Sequence, residues 1–294
     1  MIIFDKEIEA RTHYCSFFGK PGDKVDEEYV SLYLQTKFCN ARCEFCDYHS
    51  CGNEWNHEKY EEILLHLIER VKIRKIGVTG GEPTLNWDNF VNISELSKKI
   101  SPDSELSLNT NGFNWEKFAN HKIFGEYDYI NLSRHHYDDT INNEIFKTDS
   151  LPTTENLKYL VGKQTHNHQL QLRCNLIGEY INNKEEIFKY LDWANDIGIR
   201  DVGIIELMPI NDYSKENKIS IDIKSLLGDN FFLTKKWERC GGGCECCNYI
   251  YTPEDFKNTM VVYQKNTFNP SIVKDTLVFD GEYLRFGFGG DIIY

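Results

Sequence analysis

Seven of the ten cysteines in this 294-residue chain fall in two short groups. In a reducing compartment, cysteines clustered in this way indicate metal binding more often than disulfide formation. Almost 200 residues separate the groups, which predicts two separate metal sites. The first group is Cys39, Cys43 and Cys46, and the second is Cys240, Cys244, Cys246 and Cys247.

The first group has the spacing of a loop that wraps an iron-sulfur cluster. Three residues separate Cys39 from Cys43, and two separate Cys43 from Cys46. Thiolates at this spacing can hold three corners of a cubane cluster and leave the fourth iron without a protein ligand, an open position that chemistry requires. The spacing alone leaves two alternatives open, a zinc loop that borrows a distant fourth ligand and a chance grouping.

Alternating strand and helix patterns must position these residues. Short strands separated by helices favour parallel pairing through right-handed crossovers. Six such units are too few for the eight-stranded closed barrel, so we expect an α/β fold with a partial (β/α)6 barrel. The predicted strands are residues 30–36, 75–79, 105–109, 127–133, 169–177 and 201–207, and the main predicted helices are residues 56–71, 90–100 and 184–197.

The chemically unusual residues all follow predicted strands. Cys39 comes after the first strand, and Gly80-Gly81-Glu82-Pro83 comes after the second. Residues 109–112, Asn-Thr-Asn-Gly, end the third strand, and residues 133–136, Ser-Arg-His-His, end the fourth. Because function in such folds lies at the carboxyl ends of the strands, these residues are expected to share one rim.

The order of these motifs resembles the radical S-adenosylmethionine (radical SAM) superfamily. The resemblance rests on the cysteine spacing, on Phe45 before the third cysteine and on residues 80–83, and it covers residues from about 30 to 210. It implies a [4Fe-4S] cluster on Cys39, Cys43 and Cys46 whose open iron chelates S-adenosylmethionine (SAM). It also implies an electron donor such as flavodoxin or ferredoxin, and a 5'-deoxyadenosyl radical that abstracts hydrogen from the substrate.

Further residues resemble the branch that contains the GTP cyclase of molybdenum cofactor biosynthesis. They are Glu206-Leu-Met208-Pro209 after the sixth strand, Ser133 after the fourth, and Arg173-Cys174-Asn175 on the fifth. Taken singly, each has an ordinary structural alternative, such as core packing, a helix cap or a buried amide. The SAM-binding residues that the resemblance implies are Phe45, Gly80, Gly81, Glu82, Pro83, Ser133, Asn175 and Met208.

The chain departs from that branch at the arginines that bind GTP. Leu32 and Gly77 stand at the two corresponding positions, and neither supplies the bidentate contacts that phosphate recognition uses. GTP is therefore not the expected substrate. The remaining substrate-side candidates are His135 and His136 for proton transfer or polar contacts, Arg173 for a carboxylate or phosphate, and Cys174 as a hydrogen-atom donor or as simple packing.

The second cysteine group repeats the spacing if Cys240, Cys244 and Cys247 are the ligands. Three glycines let this loop curl closely, and Cys246 is then an additional ligand, a neighbouring thiol or a reactive cysteine. The related enzymes imply a second, auxiliary [4Fe-4S] cluster here, with structural zinc and unligated thiols as alternatives. Asp280-Gly281 between β-rich runs predicts a hairpin in the same C-terminal region.

These patterns divide the chain into an N-terminal extension (1–29), a radical SAM partial barrel (30–210) and a small cysteine-rich domain (211–294). With 46 acidic and 33 basic residues the net charge is -13, which disfavours a nucleic-acid binder. The chain shows neither a run of about 18 apolar residues nor a secretory signal, so we expect a cytoplasmic protein without a membrane partner.

Three functional hypotheses follow. The first is a radical SAM enzyme that rearranges, couples, epimerises or oxidises a small polar metabolite or a nucleoside-like substrate. The second is a radical SAM maturase that modifies a peptide, which the lack of a leader-recognition pattern in the first 30 or so residues disfavours. The third is a non-catalytic iron-sulfur or zinc protein, which leaves residues 80–83 unexplained.

Overall fold

A long, mainly parallel β-sheet with helices on one face organises the chain. The computed structural model describes residues 2–8, 10–13, 24–47, 54–219, 231–236, 248–253, 260–264 and 275–294. Its strands are β1 (Ile2–Ile3), β2 (Lys6–Glu7), β3 (Arg11–His13), β4 (Lys24–Thr36), β5 (Lys72–Gly80), β6 (Glu105–Thr110), β7 (Tyr129–Ser133), β8 (Leu170–Leu176), β9 (Asp201–Glu206), β10 (Phe231–Lys236), β11 (Asn248–Pro253), β12 (Met260–Gln264), β13 (Thr276–Phe279) and β14 (Leu284–Phe286).

The helices lie mostly between the parallel strands. They are α1 (His57–Ile68), α2 (Trp87–Ile100), α3 (Trp115–Ala119), α4 (Asp139–Phe146), α5 (Thr154–Lys163), α6 (Lys184–Asp196) and α7 (Asp212–Glu216), with 3-10 turns at Pro83–Leu85 and Lys122–Glu126. The three predicted helices are confirmed as α1, α2 and α6. Each begins at an asparagine whose side chain accepts a hydrogen bond from a first-turn N–H, at Asn56, Asn86 and Asn183.

The six predicted strands are confirmed as β4 to β9, and they pair in parallel in chain order. Two further strands extend this parallel set within the described ranges. β13 pairs in parallel with β4 at one edge, and β12 pairs in parallel with β9 at the other. The α/β parallel architecture is thus as expected, but the sequence did not indicate that β12 and β13 would join its two edges.

The C-terminal hairpin is confirmed as β13 and β14, with Phe279 opposite Leu284. The Asp280 carboxylate accepts hydrogen bonds from the N–H groups of Glu282 and Tyr283 and from the Arg285 side chain, which closes the turn. Since β13 joins the sheet of β4, this segment extends the main sheet and does not form a separate one. The division of the chain at residue 210 stays a prediction.

The two faces of the sheet differ in chemistry. Alternate strand residues such as Leu32, Leu108 and Leu172 are fully buried in one core with the helices. The residues between them point to the opposite side, here called the inner face, because successive strand side chains alternate. The inner face carries mostly polar side chains, including Tyr33, Lys75, Ser107, Asn109, Asn131, Gln171, Arg173 and Asp201. Within the described ranges, no helix combines the length and apolarity needed to cross a bilayer.

Candidate active site

The cysteine loop, residues 39–46, directly follows β4 and is held by backbone contacts. The Arg42 N–H donates to the Phe146 carbonyl at the end of α4 (2.9 Å), and the Cys46 N–H donates to the Cys43 carbonyl (3.1 Å). The Arg42 guanidinium also donates to the Cys39 carbonyl at 2.8 Å. The loop therefore has a defined shape at the carboxyl rim of the sheet.

The three loop thiols lie in a partly desolvated environment. Cys43 is buried, and Cys39 and Cys46 are half-buried. Burial raises the pKa of Cys39 to about 11, and burial followed by the proximity of Cys46 and Cys39 raises the pKa of Cys43 well above its usual range. Cys39 and Cys43 therefore lose their protons readily only beside positive charge, which the iron ions of a cluster supply. In the described part of the chain, no three His, Cys, Asp or Glu side chains are grouped for a single metal ion.

The glycine motif lies directly against this loop. Gly80 has a φ of +111°, and a Cβ there would sit 2.0 Å from the Thr36 carbonyl oxygen. A Cβ on Gly81 would sit 2.0 Å from the Phe38 carbonyl oxygen and 3.2 Å from the Cys39 Cβ. The ends of β4 and β5 can therefore approach this closely only because both residues lack a side chain.

Glu82 links the ends of two strands. Its carboxylate accepts hydrogen bonds from the Thr84 hydroxyl and N–H, from the Thr110 hydroxyl and from the Asn111 N–H, at 2.7 to 3.0 Å. Burial raises the pKa of this carboxyl, while these hydrogen bonds oppose the increase. Both oxygens are thus engaged within the protein, and Glu82 positions residues 110–111 at the rim. Contact of Glu82 with SAM stays a prediction.

Asn111 extends this link to the cysteine loop, a role that the sequence patterns did not indicate. Its side-chain amide donates to the side-chain oxygen of Asn40, which lies between the first two loop cysteines (2.8 Å). The available signal was the Asn-Thr-Asn-Gly run at the end of the third strand.

Arg134 is the other organising residue that the sequence patterns missed. Its side chain is almost fully buried and donates to the carbonyls of His136 (2.7 Å) and Pro152 (3.0 Å). It also pairs with the Asp139 carboxylate at 2.5 Å. Arg134 therefore fixes the loop that leads from β7 into α4, the helix that contacts the cysteine loop.

His135 connects β7, β8 and the cysteine loop through packing. Its ring stacks on Phe146, with ring centroids 4.8 Å apart, and meets the edge of Phe45 at 5.2 Å. Its Nδ1 accepts a hydrogen bond from the Asn175 N–H (3.1 Å). Burial, and secondly Arg134, lower the pKa of His135 to about 3. The His135 ring is therefore enclosed and packs behind Phe45, and its predicted role in proton transfer or polar contacts stays a prediction.

His136 is also buried. Its Nδ1 accepts a hydrogen bond from the Asp138 N–H (3.0 Å), and Asp138 in turn caps α4. Burial lowers the pKa of His136 despite nearby carboxylates. His136 therefore shapes the turn before α4, and its contact with substrate stays a prediction.

Neighbouring residues on β8 face opposite sides of the sheet. Cys174 is fully buried in the core with Tyr190 of α6, and its thiol contacts the His135 carbonyl oxygen at 3.7 Å. The idea that Cys174 points into the barrel as a hydrogen-atom donor is therefore wrong, because strand alternation places it on the helix side. Arg173 lies on the inner face, where its guanidinium contacts the Gln171 side chain and passes over Gly203.

The other predicted SAM contacts lie at the same rim. Ser133 ends β7, Asn175 lies near the end of β8, and Met208 follows β9 with 36% of its surface exposed. Phe45 is half-buried within the cysteine loop. The structure brings these residues together at the carboxyl ends of the strands, and their contacts with SAM stay predictions. The second cysteine group, residues 240–247, lies outside the described residues.

The comparisons with known proteins agree with this site. The family model described as the radical SAM superfamily matches residues 33–218, well over half of the chain. The "Probable GTP 3',8-cyclase" of Saccharolobus islandicus (strain L.S.2.15 / Lassen #1) is 29% identical over 202 residues, covering 66% of this chain and 59% of that protein. The "GTP 3',8-cyclase" of Paracoccus denitrificans is 26% identical over 221 residues, covering 70% and 62%. The chain thus spans about three fifths of the length of these relatives.

Two solved structures show the same fold at low identity. Streptococcus suis SuiB bound to S-adenosylmethionine has a TM-score of 0.52 at 18% identity, covering 66% of this chain and 44% of that one. Native anSMEcpe with bound AdoMet and a peptide has a TM-score of 0.50 at 20% identity, covering 63% and 55%. The chain belongs to the radical SAM superfamily. Within it, the sequence relatives place the chain close to the GTP 3',8-cyclase branch.

Membership implies a [4Fe-4S] cluster, SAM and a reductant, and the described residues fit the cluster and SAM. The cysteine loop presents three thiols, and the side-chain-free stretch at Gly80 and Gly81 lies beside Cys39. The same rim carries the polar residues Ser133, at the end of β7, and Asn175, near the end of β8.

Proposed function

We propose that the chain is a radical SAM enzyme acting on a small polar metabolite or a nucleoside-like compound other than GTP. The observation that carries this proposal is the direct approach of Gly81 to the base of the cysteine loop, with a polar inner face below both. A purely structural or electron-transfer site needs neither the glycine motif nor a polar sheet interior.

In this proposal Cys39, Cys43 and Cys46 hold the cluster, and Gly80 and Gly81 let the end of β5 lie against the base of the cysteine loop, beside which SAM binds. The bound group supplies one-electron reduction of SAM, which releases methionine and a 5'-deoxyadenosyl radical. Glu82 keeps residues 110–111 in place, and His135 supports Phe45 from behind. The inner-face side chains orient the substrate beneath the rim, so that hydrogen abstraction is directed to one position.

The substrate differs from that of the named relatives for a structural reason. Leu32 is fully buried in the core, and the space beside Gly77 is filled by the Tyr33 ring, 2.6 Å from where a Cβ would lie. The inner face still carries two cations, Arg173, which the sequence had already indicated, and Lys75, which it had not. Because these two cations are not accompanied by the two arginines of the cyclase branch, they favour a substrate with one anionic group over a triphosphate.

The proposal extends to the reaction type and to the second cysteine group. The named relatives favour a cyclisation or rearrangement over an epimerisation. The auxiliary cluster is proposed for Cys240, Cys244 and Cys247, with Cys246 beside it. Removing these three cysteines together should lower bound iron from about eight to about four atoms per chain. Zinc at this loop in the unmodified protein would make the second site structural.

Anaerobic reconstitution with iron and sulfide, followed by SAM and dithionite, tests the proposal. The expected result is 5'-deoxyadenosine above a buffer control, and no conversion of added GTP to a cyclised product. An intact cluster that releases no 5'-deoxyadenosine would support the non-catalytic alternative. Rapid GTP cyclisation would instead overturn the substrate assignment. Deuterium transferred to 5'-deoxyadenosine from a labelled peptide, but from no labelled small metabolite, would favour the maturase alternative.

A further inference from the structure

Two aromatic rings meet on the inner face near the edge of the parallel sheet. The Tyr33 ring lies across Gly77 of the neighbouring strand, and any side chain at position 77 would collide with it. The Phe288 ring packs against Tyr33 with ring centroids 5.3 Å apart and an interplanar angle of 56°. Phe288 thus packs against a strand that lies about 250 residues earlier in the chain.

Phe288 is held in place and still exposed. It lies between Gly287 and Gly289, whose φ angles of +58° and +76° suit glycine and shape a tight turn after β14. The Gly287 N–H donates to the Thr276 carbonyl at 2.8 Å, which fastens the turn to β13. Nonetheless 45% of the Phe288 surface is exposed. The Phe288 ring is therefore held beside Tyr33 with almost half of its surface open to contact.

Lys75 adds a positive charge to this pair of rings. Its Nζ lies 5.8 Å from the centroid of the Tyr33 ring, and the side chain is only partly exposed. Among the described residues, no carboxylate lies within 4.0 Å of this ammonium group. The ammonium is therefore available to an anionic group placed beside the rings.

The depth of these residues suits a substrate. Tyr33 lies three residues before Thr36, the last residue of β4, and the cysteine loop begins three residues further on. At about 3.3 Å per residue, the Tyr33 ring lies about 10 Å below the end of the strand. A molecule resting on it would extend upward to the rim, where residues 80–83 and 133–136 lie.

We infer that Tyr33, Phe288 and Lys75 form a substrate subsite for a planar ring that carries one carboxylate or phosphate. This inference rests on the proposed function and specifies its substrate class. The ring stacks on the two aromatic side chains, and the anionic group contacts the Lys75 ammonium. Arg173, the other inner-face cation named above, already contacts Gln171, so the subsite suits a substrate with one anionic group and not a triphosphate.

Ligand-detected NMR on the full-length protein, reconstituted and loaded with SAM, tests this inference. The probes are indole-3-acetate and guanosine monophosphate, with guanosine as the neutral planar control and citrate as the non-planar anion. Lys75→Met should weaken both planar anions about tenfold and leave guanosine almost unchanged. Phe288→Leu should weaken all three planar probes, and since Phe288 is exposed this variant should fold normally. Comparison of indole-3-acetate with the monophosphate decides between carboxylate and phosphate.

A second lysine-tyrosine pair provides the matched control. Lys163 lies over the Tyr159 ring at 5.1 Å on α5, and Tyr159 is 42% exposed. Lys163→Met and Tyr159→Leu should leave all affinities unchanged. Equal weakening by these variants, citrate binding as tight as the planar anions, or no binding of any planar probe would overturn the subsite.

Formation of 5'-deoxyadenosine without added substrate, measured in the same samples, separates the two proposals. A parent protein that cleaves SAM, with probe affinities that do not respond to Lys75→Met or Phe288→Leu, disproves only the subsite. A parent protein with an intact cluster that cleaves no SAM disproves the proposed function itself.

Discussion

Cys43 and Cys174 are both buried thiols, yet their surroundings differ in kind. Burial is the largest cause of a raised pKa in each case, but Cys43 is also affected by two neighbouring thiols, and Cys174 by none. Cys43 lies in a loop at the carboxyl rim, whereas Cys174 lies on the helix side of β8 among apolar side chains. The comparison indicates that position relative to the sheet, and not the residue type or its burial, separates the proposed cluster ligand Cys43 from the packing residue Cys174.

The largest difference between the two regions should appear on removing each thiol. Cys43→Ala should abolish 5'-deoxyadenosine formation, because the two remaining thiolates cannot hold the cluster. Cys174→Ala should keep the rate within about twofold and cost about 1 kcal/mol of unfolding free energy for a small cavity. Both are measured after anaerobic reconstitution, with iron content determined in the same samples. Full activity in Cys43→Ala, or complete loss in Cys174→Ala with iron retained, would reverse the assignments.

Two glycines give a second test of the rim. Gly81→Ala should lower SAM cleavage by at least about 100-fold, since its Cβ would lie 2.0 Å from the Phe38 carbonyl and displace the base of the cysteine loop. Gly162 in α5 is the matched control, because no atom lies within 4 Å of a Cβ placed there. Gly162→Ala should leave activity unchanged and stabilise the protein by about 0.5 kcal/mol or more. Normal cleavage in a folded Gly81→Ala protein would remove Gly81 from the site.

His135 joins the two regions, since its carbonyl contacts Cys174 and its ring contacts Phe45. Its folded-state pKa of about 3 lies below the usual 6.5, so the unfolded state binds the proton more readily between these values. Relative to His135→Phe, the parent protein should therefore lose stability as the pH falls below about 6.5, by up to about 1.4 kcal/mol per unit.

Chemical denaturation of both proteins between pH 4 and 8 measures this difference. Above pH 7 the stability difference should be constant, and the pH dependence of SAM cleavage should be the same in both proteins. A stability difference that does not vary with pH would contradict the lowered pKa, and an activity pKa that disappears in His135→Phe would assign an ionising role to this residue.

The smallest effect is expected at the outer surface of the cysteine loop. Lys147 pairs with Glu44 at 2.6 Å, but both side chains are about half exposed. Solvent screening limits such pairs, so Lys147→Met should change the unfolding free energy by less than about 1 kcal/mol and the rate of SAM cleavage by less than about twofold. Thermal unfolding and the cleavage assay measure both. A large loss of activity would mean that the loop depends on this pair and not on its backbone contacts.

Much of the site was accessible from sequence because its signals are local. The cysteine spacing and residues 80–83 each lie within one short segment, so both motifs can be recognised without knowing the rest of the fold. The alternation of strands and helices was equally readable, and β4 to β9 appear in the expected order. The enclosure of His135 was not accessible, because Phe45 lies about 90 residues earlier in the chain and Phe146 lies at the end of α4.

The sequence by itself determined the superfamily, the three-cysteine loop and the parallel sheet, because each depends on spacing or periodicity within short stretches. Only the tertiary structure decided that Cys174 lies on the helix side of the sheet and that β13 pairs with β4. It also decided which groups the buried Glu82 and Arg134 side chains bind. It also brought Phe288 onto Tyr33 across Gly77. Such contacts join distant segments, and they form because burying apolar surface and pairing buried polar groups is favourable only in the assembled fold.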